Sequence, residues 1–375
     1  MKKIYLDNAA TTKVDENVLN AMEKIFSDKY GNASSIHLAG LEAREELENS
    51  REIIARSINA SPEEIIFTSG GTESNNLALK GIVGKKKHII TTRIEHDCIL
   101  NTCKWLEKQG CKITYLDVDN EGFVDLKDVE NAIAKETAIV SIIHGNNEIG
   151  TLQNIEEIGK ICRKHGTLFH TDACQSYTKT KIDVQKQNID LMSLNAHKIH
   201  GPKGVGVLYV RKGIKLEPLL HGGGQEQGIR SGTENVPGIV GFAEAVKIAD
   251  KKYIEYMTKL RERLIDGLLK IPNTKLNGPK NRLCNNINVS FGNIEGEAIV
   301  GLLSDEGVYC STGSACKSRS LEPSHVLLAI GLTPLAANSS IRLSLSRHST
   351  IEEIDYAIEK IKKVVDKLRK LSPFK

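Results

Sequence analysis

Residues 191–206 read LMSLNAHKIHGPKGVG. Leu191, Met192 and Leu194 form a short apolar run, the mark of a buried strand end, and Gly201-Pro202-Lys203-Gly204 stops regular structure soon after. Between them stands His197-Lys198. A lysine where a buried strand ends is costly unless it is paired, modified or chemically used. Desolvated there, an amine can condense with a carbonyl, which is how lysine forms Schiff bases. Taken alone, such a lysine more often snorkels to solvent, so its reading depends on the rest of the chain.

Outward from this stretch, short β-rich runs at 65–68, 88–92, 112–118, 138–144, 167–171, 189–194 and 205–210 alternate with segments of helical spacing. Ile155, Ile158, Ile161 and Cys162 are one such segment. The alternation predicts an α/β fold with a mostly parallel, seven-stranded sheet between helices. Ser61-Pro62-Glu63-Glu64 reads as a capping-box turn before the first run. Residues 235–270 read as one long helix leading out of this unit. After Pro272 the texture becomes α+β, with strands at 286–291 and 341–345 and a helix near 295–305. A final helix opens with the box Thr350-Ile351-Glu352-Glu353. The expected division is a large α/β domain at 13–255 and a smaller α+β domain at 256–375, joined by residues 1–12.

Bulk composition agrees with this picture. A chain of 375 residues favours two domains, and 26% charged with 40% hydrophobic residues describes an ordinary globular protein. The net charge of +4 is small and the basic residues are dispersed, so nothing calls for direct nucleic-acid binding. No stretch approaches the ~20 apolar residues of a membrane span, and the N-terminus lacks a signal-peptide core. A cytoplasmic protein is expected. The eight cysteines include no CxxC pair and no metal-like cadence, so no intrinsic metal site is expected and most should be buried thiols.

In an open α/β sheet, ligands sit beyond the carboxyl ends of the strands. Ser69-Gly70-Gly71-Thr72-Glu73 follows the strand IIFT and opens a helix. Its glycines let a ligand approach the backbone, and free N–H groups at a helix start favour an anion. It lacks the spacing of a nucleotide P-loop or a dinucleotide site and suits a single phosphate. His96 follows the run HIITT. Asn146-Asn147-Glu148 ends the run AIVSIIH, where two amides can orient a polar ligand. Asp172, with Gln175 after it, ends TLFHT. Singly, each is equally a cap or turn residue. Together, an anion cradle, an amide pair, a carboxylate and a lysine form the constellation that pyridoxal 5′-phosphate requires.

Nearly the whole chain resembles the NifS/IscS-type cysteine desulfurases, fold-type-I pyridoxal-phosphate enzymes. The resemblance rests on YLDNAATT (5–12), TSGGTESNN (68–76), EH (95–96), NNEIG (146–150) and HTDACQ (170–175). It continues through HKIHGPKGVG (197–206), GGGQEQGIRSGTEN (222–235), STGSACKSRSLEPSHVL (311–327) and IRLSLSRHST (341–350). The resemblance implies that Lys198 holds the cofactor and shuttles the Cα proton, and that His96 stacks on its ring. Asp172 would pair with the ring nitrogen, while Gln175 and Asn147 would contact the ring oxygen or the substrate. Gly71, Thr72 and His197 would bind the phosphate, with Thr233 reaching in from a second subunit, and Arg342 would grip the substrate carboxylate. Asn195 stands where the family usually has a phosphate-binding serine, and Gly71 replaces a common alanine, a change expected to be harmless.

Cys316 lies in a small, polar stretch with Lys317 and Arg319 beside it, a setting that favours thiolate. The resemblance implies that it attacks the sulfur of L-cysteine, takes it as a persulfide and leaves alanine. A loop at 311–320 would let it visit the site and then an acceptor. The acceptor would be an iron–sulfur scaffold protein or another sulfur carrier, and Cys316 would at most transiently ligate a cluster shared with a scaffold. A homodimer is implied, and no membrane partner. Related alternatives are a selenocysteine lyase or a non-catalytic, partner-binding protein of the same fold.

Overall fold

A computed structural model of the chain describes residues 2–84, 86–313 and 322–371. Strand β1 (Ile4–Tyr5) is followed by helices α1 (Glu16–Ser27) and α2 (Leu38–Ser57). An alternating stretch comes next: β2 (Ile65–Thr68), α3 (Gly71–Ile82), β3 (His88–Thr92), α4 (Asp97–Lys108), β4 (Lys112–Leu116), α5 (Leu126–Ala132), β5 (Thr137–Ser141), α6 (Ile155–His165), β6 (Leu168–Asp172), β7 (Leu191–Asn195) and β8 (Gly206–Val210). These strands form one seven-stranded sheet in the order β2-β8-β7-β6-β5-β3-β4. All pairings are parallel except those of β8, which runs against both β2 and β7. The mostly parallel sheet read from the sequence is therefore present, and β2 and β7 both point their carboxyl ends to the same edge.

Strands β2, β3, β5 and β7 are buried at every position, which is why they read as continuous apolar runs rather than alternating ones. One face packs a core that includes Val18, Ile54, Phe67, Val140, Ile158 and Phe242, and the other packs Ile66, Leu77, Leu79, Ile89, Ile99 and Ile139. Helix α6 shows how local sequence sets its bounds. Asn154 caps its start, Glu156 and Glu157 occupy the first turn, Arg163, Lys164 and His165 the last, and Gly166 ends it in the left-handed conformation. The Ser61 capping box is formed as expected.

The stretch 235–270 is two helices, α7 (Val236–Lys247) and α8 (Lys251–Leu269), rather than one. Asp250 causes the break, because its side chain accepts from the Lys252 N–H and starts a new helix. Beyond it lie β9 (Thr274–Leu276), β10 (Asn286–Phe291), α9 (Gly296–Asp305), β11 (Val308–Tyr309), α10 (His325–Ala329), α11 (Pro334–Asn338), β12 (Ser340–Ser344) and α12 (Ile351–Leu371). Antiparallel β12-β10-β9 carries a separate core, which unites Ile4 and Leu6 with Leu264, Ile287, Val289 and Leu343. Strand β1 pairs with β11, so the N-terminus belongs to this second core. No helix among the described residues is long and apolar enough to cross a membrane.

Candidate active site

The strand order reverses between β3 and β5: β3 continues outward to β4, whereas β5, β6 and β7 step the other way. A crevice opens at the carboxyl ends beside such a reversal. Here it forms a cavity of about 300 Å³ lined by side chains that follow five strands and by residues of the second core. Gly71, Thr72, His96, Asn147, Asp172, Gln175, Asn195, His197, Lys198 and Arg342 all line it. The sequence-derived set is thus brought together, apart from Thr233 and Cys316. Thr233 is exposed on the connection to α7 and does not line this cavity. Cys316, with Lys317 and Arg319, lies outside the described residues.

At the floor, Asp172 ends β6, fully desolvated. Burial opposes its ionisation, but His96, the Cys174 N–H, Lys198 and Asn75 together outweigh it and hold the carboxyl below its ordinary range. Asn75 donates to Asp172 Oδ2 at 2.7 Å, and the Cys174 N–H donates to Oδ1 at 2.9 Å. His96 does two things at once. Its Nδ1 accepts from the Cys98 N–H at 3.2 Å and caps α4, while the ring lines the cavity. Burial and then Lys198 push its pKa down.

Lys198 lies just past β7 in a turn gripped from two sides. The Thr12 N–H and hydroxyl both donate to the His197 carbonyl at 2.9 Å, and Lys179 Nζ donates to the Lys198 carbonyl at 3.1 Å. Lys179 was not legible as a site residue. Burial lowers its amine to about 8. His197, buried beside Lys198, Lys203 and Lys179, is lowered to about 4 and stays neutral. Gln175 donates to the Ala9 carbonyl at 2.9 Å.

Helix α3 opens at the cavity wall. Gly70 has φ +152°, where a side chain would be strained, and no side chain caps the helix. Asn195 is buried beside this start, with its Oδ1 unpartnered among the described residues. Glycine at 71, where the family commonly has alanine, matches the space this cavity leaves. A Cβ on Gly71 would lie 2.6 Å from Cys174 Sγ and 3.5 Å from Asn195 Nδ2. Cys174 fills the space that a methyl group would need.

Of the two amides after β5, only Asn147 faces the cavity. Asn146 is consumed by its own loop, donating to the Ile94 carbonyl and accepting from the Glu148 and Ile149 N–H groups. Arg342 enters from β12. It donates to Asp7 Oδ1 at 2.9 Å and to the carbonyls of Asn147 and Gly313, and its buried Nε has no partner among the described residues. Sequence reasoning missed Asn75, Cys98, Glu148, His325 and Asp7. Asn75 alone had a local signal, standing one helical turn beyond Gly71 on the same face of α3.

The aminotransferase class-V family matches residues 4–357. A cysteine desulfurase IscS of Methanosarcina thermophila is 50% identical over 99% of this chain and 94% of its own. The mitochondrial cysteine desulfurase of Saccharomyces cerevisiae is 48% identical over 99% of this chain and 77% of its own. Among solved structures, a NifS-like protein superposes with a TM-score of 0.92 at 42% identity, covering 98% of this chain and all 100% of that one. SspA in complex with cysteine superposes at 0.84 with 41% identity, over 93% of this chain and 100% of that one. An open-sheet cavity built from these residues, in a chain half identical to such enzymes over its full length, leaves one conclusion: the chain belongs to the aminotransferase class-V family and, within it, to the cysteine desulfurases.

Proposed function

We propose that this cysteine desulfurase binds pyridoxal 5′-phosphate in the cavity and moves the sulfur of L-cysteine to Cys316, with alanine as the second product. The observation that carries the reading is one cavity holding three complementary groups. They are a carboxylate held ionised (Asp172), a primary amine (Lys198) and an uncapped helix start (Gly71-Thr72). The donor set fits the cofactor. Asp172 suits a protonated ring nitrogen, Lys198 an aldehyde, and the α3 N–H groups with Thr72, Asn195 and His197 a phosphate. Asn195 stands where the usual serine would, and its Nδ2, on the Gly71 side, can donate in the hydroxyl's place.

Bound there, the group supplies an electron sink for charge developing at the amino acid's Cα. Lys198 holds it and then carries the Cα proton, and His96 covers the ring face. Arg342, kept in place by Asp7, orients the substrate carboxylate, with Asn147 beside it. Cys316 attacks the substrate sulfur, the Cβ–Sγ bond breaks, and Cβ takes a proton to become the methyl group of alanine. The other cysteines support this assignment. All seven described ones have thiols shifted upward, by burial first in every case, and Cys98 and Cys174 on the cavity wall are no exception. None is a thiolate near neutrality.

Thr233, exposed in this chain, is assigned to the phosphate of a second copy, which makes the working unit a homodimer. The packing of Ile4 and Leu6 with the second core supports grouping residues 1–12 with 256–375 as the small domain. The persulfide passes to an acceptor, an iron–sulfur scaffold being the foremost class. The test is joint measurement of sulfide and alanine with mass spectrometry of Cys316. Cys316→Ser should keep the cofactor's visible band and bind L-cysteine, yet form no persulfide. Desulfuration at the parent rate would assign the nucleophile elsewhere.

A further inference from the structure

His325 lines the cavity without a task in the function just described. It opens α10 directly after Ser324, whose hydroxyl caps the Leu327 N–H and donates to the Glu148 carboxylate. Val326 and Leu327 pack with Ile94, Ile143 and Ile149, so the backbone beneath the ring is fixed. The ring's Nε2 lies 2.9 Å from the Glu95 carbonyl oxygen. A carbonyl oxygen only accepts, so Nε2 carries the hydrogen, and in that tautomer Nδ1 is a bare acceptor. That Nδ1 is buried and has no partner among the described residues. Buried polar atoms in folded chains are nearly always bonded. An acceptor left open on a cavity wall suits a donor that arrives with the ligand.

In the function proposed above, on which this inference rests, Arg342 takes the substrate's carboxylate and Lys198 meets its amine side. What remains to be recognised is the side chain. A thiol has a weak S–H donor. A sulfinate or an ionised selenol has no hydrogen to give and would set negative charge against the Nδ1 lone pair. We propose that His325 is a specificity-determining residue, whose Nδ1 accepts the hydrogen bond of the substrate thiol and selects it over anionic sulfinate and selenolate side chains. No proton changes owner in this contact. A site built around a donor discriminates against analogues that lack it, because its own polar atom is then left unpaired.

Two variants separate the ring's two nitrogens. His325→Gln can keep the donation to the Glu95 carbonyl while removing the Nδ1 acceptor, and His325→Asn can offer an acceptor near the place of Nδ1. With the cofactor-loaded enzyme, kcat/KM for alanine formation is measured on L-cysteine and on L-cysteine sulfinate, and calorimetry gives the affinity for each. The cysteine-to-sulfinate ratio should fall about tenfold in the Gln variant, the order expected for one lost buried hydrogen bond. The Asn variant should stay within about threefold of the parent by the same measure. Nitrogen NMR of the parent should find a hydrogen on Nε2 of His325 and none on Nδ1. An unmoved ratio in an active Gln variant, or a ring protonated on both nitrogens, overturns this inference alone. A parent enzyme inert toward L-cysteine overturns the function it rests on, and this inference with it.

Discussion

Replacing Gly71 by alanine tests the cavity's packing at its tightest point. The new Cβ would sit 2.6 Å from Cys174 Sγ, about 1 Å inside ordinary contact between such atoms. The sulfur has little room to yield. Cys174 is buried, its Sγ lies 3.7 Å from the Ser193 carbonyl, and its N–H is bonded to Asp172. Overpacking of this kind costs roughly 1–3 kcal/mol, or about 2–6 °C at some 2 °C per kcal/mol for a unit of this size. Cys174→Ala removes the obstacle at roughly 1 kcal/mol for one small buried group. In that background the alanine at 71 should be neutral or better, giving a coupling of about 1–3 kcal/mol in the double-mutant cycle. Because the strain pushes on the Asp172 backbone bond, Gly71→Ala alone should also weaken cofactor retention, read from the visible band after dialysis. A single variant as stable as the parent, or a double variant no better than the sum of its parts, would refute the steric argument.

Lys198→Ala should abolish both the visible absorbance and turnover, and borohydride reduction of the parent should label Lys198 in a peptide map; a label on another lysine would reject the assignment. Glu95, buried where β3 meets β5, is raised to about 8 because burial outweighs its bonds from Thr92 and the Ile143 N–H. The folded chain therefore holds a proton that an unfolded carboxylate releases above its usual 4.5, so its contribution is complete below that pH and is lost as pH rises toward 8. Denaturant titrations should show Glu95→Gln gaining on the parent by up to a few kcal/mol between about pH 5 and 8, and parallel curves would contradict the shift. Thr233→Val should leave the chain dimeric by light scattering yet weaken its hold on pyridoxal phosphate about tenfold, as loss of one charge-assisted bond implies; an active monomer would exclude a shared site.

Much of the cavity could be read because strand ends advertise themselves. Buried runs such as 65–68 and 88–92 leave few choices for which residue comes next, and Asp172, Lys198 and Gly71 stand at those exits. The parts that could not be read depend on contacts far apart in sequence. Asn146 and Asn147 are chemically alike and adjacent, and only the fold shows that the first is spent on the Ile94 carbonyl. The clash between Gly71 and Cys174 spans a strand order that no local pattern reveals. Likewise His325 takes its tautomer from a carbonyl 230 residues away. The break in the stretch 235–270 had a local signal in Asp250, overruled in the reading by the apolar spacing on either side.

Residues 7–12 explain how two separate cores make one site. Asn8 donates to the Ser344 carbonyl and the Ala9 N–H to the Ser344 hydroxyl, which fastens the segment to β12. On the same residue, the Ala9 carbonyl accepts from Gln175, and Thr12 then holds His197 by two hydrogen bonds to its carbonyl. A single turn of chain thus ties the strand that carries Arg342 to the turn that carries Lys198. Asp7 adds a charge to the same tie, since it neutralises Arg342 at 2.9 Å where the guanidinium is almost wholly buried. An unpaired guanidinium there would be expensive, several kcal/mol by the usual cost of breaking a buried pair. The pairing leaves Nε without a partner among the described residues, so under the proposed function a substrate carboxylate would add a second acid instead of rescuing a stranded charge. The spacing between Arg342 and Lys198 is therefore set by the N-terminal segment, and neither core could set it alone.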